Sequence, residues 1–279
     1  MKKIGILYHP LKEDAYSMAK ELENFLGSNG YSTWLCSAWE VENARPQVFG
    51  TDTILSIGGD GTILRAAQAV VPEPTPIIGI NLGKLGFMTE LSVDETMEKL
   101  PALLSGDGCI DERSLLEVEY YASGEANQPS DKFYALNDVV LARGAVARVI
   151  YIETIINDEP MTTYKVDGVI VSTATGSTGY SLAAGGPILH PQAKEILLMP
   201  IIPHLSSSYP LVLPSTVTIK LCLRSNNPAT LSIDAHTNLP LSYGATVVVR
   251  HSKNTIKFLR THPKKSFYGS LEQRLKGKQ

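Results

Sequence analysis

Thr53-Ile54-Leu55-Ser56-Ile57-Gly58-Gly59-Asp60-Gly61-Thr62 reads as a short apolar strand, 53–57, that runs into a glycine-rich turn carrying one carboxylate. Glycine lets backbone and ligand approach closely, so a Gly-Gly-Asp-Gly turn can aim N–H groups and one Asp at a phosphate or a hydroxyl. From Thr62 to about Val70, Ile63, Ala66, Ala67 and Val70 recur at helical spacing, and the first amides of that helix would favour an anion at the same turn. A tight strand-to-helix turn with a capping Asp is the other reading, and composition leaves both open. Two better-known phosphate loops are excluded by spacing. Leu64 stands where a dinucleotide fingerprint needs its third glycine, and 79–85 is one residue short of a Walker loop, with Leu85 in place of Ser or Thr.

On either side of this stretch, strands and helices alternate. Ile4–Tyr8 is an apolar run, and Ala15, Met18, Ala19, Leu22, Phe25 and Leu26 form a helical stripe closed by Gly27 and Gly30. A second strand is expected over 31–36, followed by a polar stretch to Gly50, and Ile77–Asn81 is another strand after the Pro-rich break 72–76. Such alternation predicts right-handed crossovers and a mostly parallel sheet, with ligands bound beyond the carboxyl ends of its strands. Asp60 and Asn81 both fall at such ends. The glycine-bent loop 81–87 is either a plain connection or one wall of a site with Phe87 as a stacking face. Ser92 and Glu95 have capping-box spacing, opening a helix to Leu104 that Gly106 and Gly108 end.

From Ser114 the period changes to alternation: 115–120, 134–141, 149–156, 216–224, 230–233, 246–250 and 255–259 all read as strands, with a turn at 157–160 and a hairpin tip at 124–131. Many short strands with turn signals predict a sandwich-like second domain. The tail from Pro263 carries Lys264, Lys265, Arg274, Lys276 and Lys278 against Glu272, a pattern read as a solvated helix and end with no ligand.

Composition narrows the class of partner. At 279 residues the chain exceeds the roughly 150 of one ordinary domain, so two are expected. Hydrophobic residues at 43%, charged residues at 19% and a net charge of −3 leave no electrostatic footprint for nucleic acid or an anionic membrane, so the partner is expected to be a small molecule. Cys36, Cys109 and Cys222 are far apart and without ligand spacing, which points to reduced thiols and no structural zinc. Neither a signal-peptide core nor an uncharged run of the ~18 residues a span requires is visible, so a cytoplasmic enzyme is expected.

A second candidate site follows the strand Val169-Ile170-Val171. From Ser172 to Ser181 there are six Ser/Thr hydroxyls with small residues among them and no charge. They could reach the phosphates or riboses of a nucleotide while Tyr180 stacks on a base; a solvent-exposed polar loop is the alternative. The serine-hydrolase elbow is absent, because Thr175 stands where its first glycine belongs.

Taken together, Gly58-Gly59-Asp60-Gly61-Thr62, Asn81-x-Gly-x-Leu-Gly-Phe87, Glu112-Arg113-Ser114, Asn137-Asp138, Asp167-Gly168 and Thr175-Gly-Ser-Thr-Gly-Tyr-Ser-Leu-x-Ala-Gly-Gly-Pro-Ile188 resemble the NAD kinase family in order and spacing, from Ile4 to the tail. The glycine turn alone is shared with lipid kinases and phosphofructokinases; the block 175–188 beside it is specific. The resemblance implies an α/β nucleotide-binding domain with a mostly parallel sheet over 1–110, an all-β, sandwich-like NAD-binding domain over 111–262, and a helical tail, 263–279, packing back on the first. It implies transfer of the ATP γ-phosphoryl group to the adenosine 2′-hydroxyl of NAD, giving NADP and ADP, with magnesium bridging the donor phosphates. It also implies a homo-oligomer, dimer or tetramer.

By the same resemblance Asp60 is the general base, Gly61 contacts the dinucleotide, and Asn137 and Asp138 hold a ribose. Arg148, Lys165 and Asp167 lie where the family binds NAD, some reaching across a subunit boundary, and Lys165 would suit oxidised NAD better than NADH. Thr178, Gly179, Tyr180, Ser181, Leu182 and Ala183 line the nucleotide pocket. The chain departs from the usual pattern at Asp138, where many members have Glu; at Ala174 and Gly179, where Pro and Ala are frequent; and at Ala235-His236, where others carry Gly-Gln, so that His236 takes the place of a glutamine at the nucleotide site. A kinase of a lipid or sugar phosphate, and a dinucleotide-binding regulator without catalysis, are the rival readings.

Overall fold

The structure, a computed structural model, describes residues 1–83, 86–124, 128–145, 148–202, 209–261 and 267–276. Lys84 and Leu85 of the glycine-bent loop, 125–127 of the expected hairpin tip, and Lys264, Lys265 and Lys278 of the tail lie outside these residues. The chain divides into two compact units, Met1–Arg113 with Thr255–Gln279, and Ser114–Asn254.

The first unit is α/β. Strands β1 (Lys3–Tyr8), β2 (Ser32–Ser37), β3 (Thr53–Gly58) and β4 (Ile77–Asn81) alternate with helices α1 (Glu13–Ser28), α2 (Val41–Val48) and α3 (Asp60–Val70); the short β5 (Leu91–Ser92) and α4 (Val93–Ala102) follow. The strand order is β2-β1-β3-β4 and every pair is parallel, with β5 also parallel to β4. β3 lies inside the sheet and is buried along its whole length, which is why its sequence is a continuous apolar run rather than an alternating one. Ile78 and Ile80 face a core shared with Ile4, Ile6, Leu55, Ile57 and the stripe of α1, Ala15, Met18, Ala19, Leu22 and Leu26. Ile77 and Gly79 face the other way, and a Cβ on Gly79 would sit 2.5 Å from Ile63 of α3, so that glycine lets the helix after Asp60 approach the sheet.

Within the stretch read as merely polar, the structure has α2. Its buried positions are Ala44 and Val48, one helical turn apart, and Pro46 lies inside it, so neither apolar periodicity nor propensity marked it. The capping box at Ser92 and Glu95 is present, and Gly106 ends the following turn with φ 111.

The second unit is a sandwich of two sheets. From β6 (Cys109–Tyr121), the chain makes β7 (Asp131–Ala135), β8 (Asp138–Arg143), β9 (Ile150–Ile156), β10 (Glu159–Val166), β11 (Gly168–Ser172), α5 (Tyr180–Ala183), β12 (Ile196–Ile201), β13 (Leu211–Leu213), β14 (Thr218–Leu223), β15 (Ala229–Ile233), β16 (Thr237–Leu241) and β17 (Thr246–Arg260); α6 (Phe267–Lys276) ends the described chain. One sheet has the order β13-β12-β11-β8-β15-β16, antiparallel throughout; the other contains β10-β9-β14-β17. Val169, Val171, Leu141 and Leu231 of the first interdigitate with Ile150, Ile152, Ile219 and Leu221 of the second in one core. The single strand expected over 134–141 is two, broken at Leu136-Asn137, and that break places the second candidate site. The two strands expected over 246–259 are one.

Candidate active site

In the first unit the functional geometry is built around Asp60, the first residue of α3, at the carboxyl end of β3. Gly58 has no side chain because a Cβ there would lie 2.2 Å from the Thr62 hydroxyl. Half-buried Asp60 turns its carboxylate onto the loop that follows β4: Phe87 N–H donates to Oδ2 at 2.9 Å and Met88 N–H to Oδ1 at 3.0 Å. Gly86 makes this approach feasible, since a Cβ there would be 2.2 Å from Oδ1. The loop is thus more than a plain connection, since Phe87 contributes its amide to the Asp60 carboxylate. Each carboxylate oxygen keeps a lone pair free for a further donor, and the helix start and the two amides fix where it points.

Behind this loop lies a knot of charge. Arg113, buried, gives both Nε and Nη2 to Asp111 Oδ2, at 3.0 and 2.7 Å. Arg260 donates to the Met88 carbonyl at 2.8 Å and pairs with Glu90 at 3.1 Å and Asp111 at 3.4 Å. Burial pushes the Asp111 carboxyl up, but Arg113 and Arg260 pull it below its ordinary value. Arg274, from the tail read as solvated, is half-buried and donates to the Gly86 carbonyl. Exposed Gly61 lies one residue into α3.

In the second unit the break between β7 and β8 is occupied by a carboxylate that the sequence does not single out. Asp234 is 3% exposed and accepts the N–H groups of Leu136 at 2.9 Å, Asn137 at 2.7 Å and Asp138 at 3.1 Å. It sits in a tight turn between β15 and β16 with φ 48, followed by Ala235 at φ 61; the latter conformation costs an L-residue about 1–2 kcal/mol and explains why a glycine is frequent there. His236 closes the turn, its N–H on the Ile233 carbonyl at 3.1 Å and its ring Nδ1 3.0 Å from the Asp234 carbonyl.

The hydroxyl-rich loop is folded by its own hydroxyls. Ser172 and Thr173 donate to the Asn137 and Leu136 carbonyls at 3.1 and 2.6 Å, Ser177 to Ala174 at 2.7 Å, and Thr178 to Thr175 at 3.1 Å; all four are buried. These four hydroxyls donate to backbone carbonyls, so the loop is not the solvent-exposed polar loop that was the alternative reading: its lack of charge goes with burial. Gly176 permits it, as a Cβ would lie 2.1 Å from the Asn137 carbonyl oxygen. Ser181 Oγ and Asn137 Oδ1 are among the buried polar atoms of the described residues without a hydrogen-bond partner, while Tyr180 is 47% exposed, free to stack. Gly179 backs onto Asn137 and Asp138: a Cβ there would be 3.5 Å from Asn137 Nδ2 and 3.7 Å from Asp138 Oδ2. Thus Asn137, Asp138 and 176–181 are brought together. Leu182 and Ala183 complete the one-turn α5. Asp167, by contrast, pairs with Arg143 at 3.1 Å, whereas the side chains of exposed Arg148 and half-buried Lys165 make no hydrogen bond or ion pair to a described residue.

Asp138 is 5% exposed. Its burial, then the neighbouring Asp234 charge, push its pKa up from 3.8 to about 7, against the Tyr180 amide. Burial raises Asp234 too, but three amides favour its ionised form, so the proton of this coupled pair resides on Asp138. Between about 3.8 and about 7 the folded protein binds more protons than the unfolded chain, so this contribution to stability is full at low pH and is lost as pH rises through 7. Asp138→Asn, a mimic of the protonated acid, is expected to flatten that decline and to be the more stable protein near neutral pH and above, read by urea unfolding on both sides of the transition. Equal pH slopes in parent and variant would contradict the shift.

The chain matches the ATP-NAD kinase N-terminal domain over residues 4–108 and the ATP-NAD kinase C-terminal domain over 136–261. It is 51% identical to an NAD kinase of Dehalococcoides mccartyi over 99% of this chain and 96% of that one, and 37% identical to an NAD kinase of Chloroflexus aurantiacus over 99% of both. Among solved structures, yeast NADH kinase complexed with NADH superposes with a TM-score of 0.89 at 22% identity, over 99% of this chain and 88% of that one. An Archaeoglobus fulgidus NAD kinase in complex with ATP superposes with a TM-score of 0.76 at 23% identity, over 99% of both chains.

Proposed function

The chain belongs to the NAD kinase family, and we propose that Asp60 is the base through which it phosphorylates NAD. The activity is ATP-dependent phosphorylation of NAD: the γ-phosphoryl group passes to the adenosine 2′-hydroxyl, giving NADP and ADP. A ribose hydroxyl is a poor nucleophile at neutral pH, and phosphoryl transfer depends on positioning and charge neutralisation, so a fixed carboxylate able to accept the hydroxyl proton is the central requirement. One observation carries this reading: both oxygens of Asp60 are held by the Phe87 and Met88 amides at the start of α3, which leaves the carboxylate oriented with accepting capacity to spare.

For the second unit the proposal is that Asn137 and Asp138 hold a ribose, with the protonated fraction of Asp138, about half near pH 7, able to donate as well as accept. Tyr180 stacks on a base, and Ser181 Oγ and Asn137 Oδ1, left unpaired within the protein, meet polar groups of the dinucleotide. Gly61, Arg148, Lys165, Asp167, Thr178, Gly179, Leu182, Ala183 and His236 keep the binding roles implied by the family.

Magnesium belongs to the proposal as well. Among the described residues no three His, Cys, Asp or Glu gather as a metal site. A magnesium ion would be bound through the donor phosphates and would neutralise charge on the transferring group. No helix among the described residues is long and apolar enough to cross a membrane. A cytoplasmic location and a homo-oligomeric state, dimer or tetramer, complete the proposal. Purified protein with NAD, ATP and magnesium should form NADP, detected by an NADP-specific dehydrogenase; NAD binding without ATP-dependent product would favour a regulator, and phosphorylation of a lipid or sugar phosphate alone would favour another kinase.

A further inference from the structure

We propose that Arg274 is a positioning residue for Asp60, acting through the single peptide group that joins Gly86 to Phe87. The carbonyl of that peptide accepts a hydrogen bond from Arg274 Nη1, and its N–H donates to Asp60 Oδ2 at 2.9 Å. A cation and a carboxylate therefore sit at the two ends of one planar unit. Because the peptide is rigid, any rotation that breaks one bond misdirects the other. Charge at the carbonyl end also polarises the amide and strengthens the bond at its far end.

The neighbouring residues of the loop have their own anchors. Met88 to Glu90 are fixed elsewhere: Arg260 binds the Met88 and Thr89 carbonyls and Glu90, Glu90 N–H reaches the Gly79 carbonyl at 2.8 Å, and Thr261 binds Glu90 twice. Gly86 has neither a side chain nor a strand bond; its own N–H is held by Thr89 Oγ1 at 3.1 Å. Glycine leaves the peptide plane little steric restraint, so an external donor must set its orientation. Burial and the neighbouring Arg260 push the Arg274 guanidinium below its ordinary value, and the Asp60 and Glu90 charges oppose that push. Arg274 lies on α6, more than two hundred residues after Asp60, which makes the chain's last described helix part of the base's support.

This inference rests on Asp60 being the base, and its test separates the two. Arg274→Ala should lower kcat on the order of 10-fold to 10²-fold, as expected for a base displaced by a fraction of an ångström to about 1 Å, with KM for NAD changed less than about 2-fold. Arg274→Lys, which keeps a charged donor, should exceed Arg274→Gln, which keeps only a neutral one. In an Asp60→Asn background Arg274→Ala should cost nothing further, because its effect runs through the carboxylate. Equal losses in both backgrounds, or a fully active Arg274→Ala beside an inactive Asp60→Asn, would overturn the positioning role alone; an active Asp60→Asn would instead remove the base. Should Arg274→Ala not fold, equal kcat for the Lys and Gln variants would overturn the proposal just as directly.

Discussion

Asp60→Asn is expected to lose about 10²-fold or more of kcat while retaining NAD binding. The substitution keeps shape and one acceptor oxygen, so either the Phe87 or the Met88 amide still finds a partner, but the second oxygen becomes an NH2 that faces a backbone N–H. Two donors then oppose each other and the proposed base is lost. Binding of NAD, which in this account draws mainly on contacts made elsewhere, should change by no more than a few-fold, whereas turnover collapses; that split distinguishes loss of a transition-state role from loss of uniform binding. Steady-state kinetics with NAD titrated against saturating ATP, together with calorimetric NAD binding, reads both quantities. Near-normal kcat would take Asp60 out of the reaction.

The second large effect concerns stability. Asp234→Ala would leave the N–H groups of Leu136, Asn137 and Asp138 without their acceptor in a place where Leu136 and Asp138 are buried. An unsatisfied buried donor costs about 1–3 kcal/mol, so the sum should reach about 3 kcal/mol or more. One opposing term is the relief Asp138 would feel on losing a like charge. It is the smaller of the two, since the burial that is the leading cause of the Asp138 shift remains. Urea unfolding should therefore show a clearly lowered midpoint for the variant, and KM for NAD should rise as Asn137 and Asp138 lose their anchor. A loss under about 1 kcal/mol would mean that water or local rearrangement replaces the carboxylate.

The two effects also separate what is legible in the sequence from what is not. β3 and the turn after it are legible because a buried parallel strand leaves a continuous apolar run and a close helix approach leaves glycines, and both marks are one-dimensional. The change of period at Ser114 similarly announces the sandwich. α2 is not legible, because a helix that buries only Ala44 and Val48 writes almost nothing into the hydrophobic pattern and carries a proline besides. Strand β12, Ile196–Ile201, is not legible either: Pro200 stands inside it, and a proline within an apolar run argues against a strand.

At the candidate site the same division holds. Asp60 is readable from three surrounding glycines, whereas its partners are backbone amides of Phe87 and Met88, and an amide has no letter. Asp234 is 96 to 98 residues from the amides it binds, so only the fold brings them together. The hydroxyls of 172–178 were visible as a composition, but whether a hydroxyl faces a ligand or a carbonyl is decided by which way a loop closes. Arg274 looked like one of many tail cations, and nothing in a charge run tells which member is half-buried.

The most direct measurement is a crystal structure of the protein with NAD bound, read for the distance between the adenosine 2′-oxygen and the Asp60 carboxylate. The account predicts one carboxylate oxygen within about 2.6–3.2 Å of that oxygen, with the Phe87 and Met88 amides still on the carboxylate. A 2′-oxygen turned away from Asp60 and beyond the reach of one bridging water would contradict it.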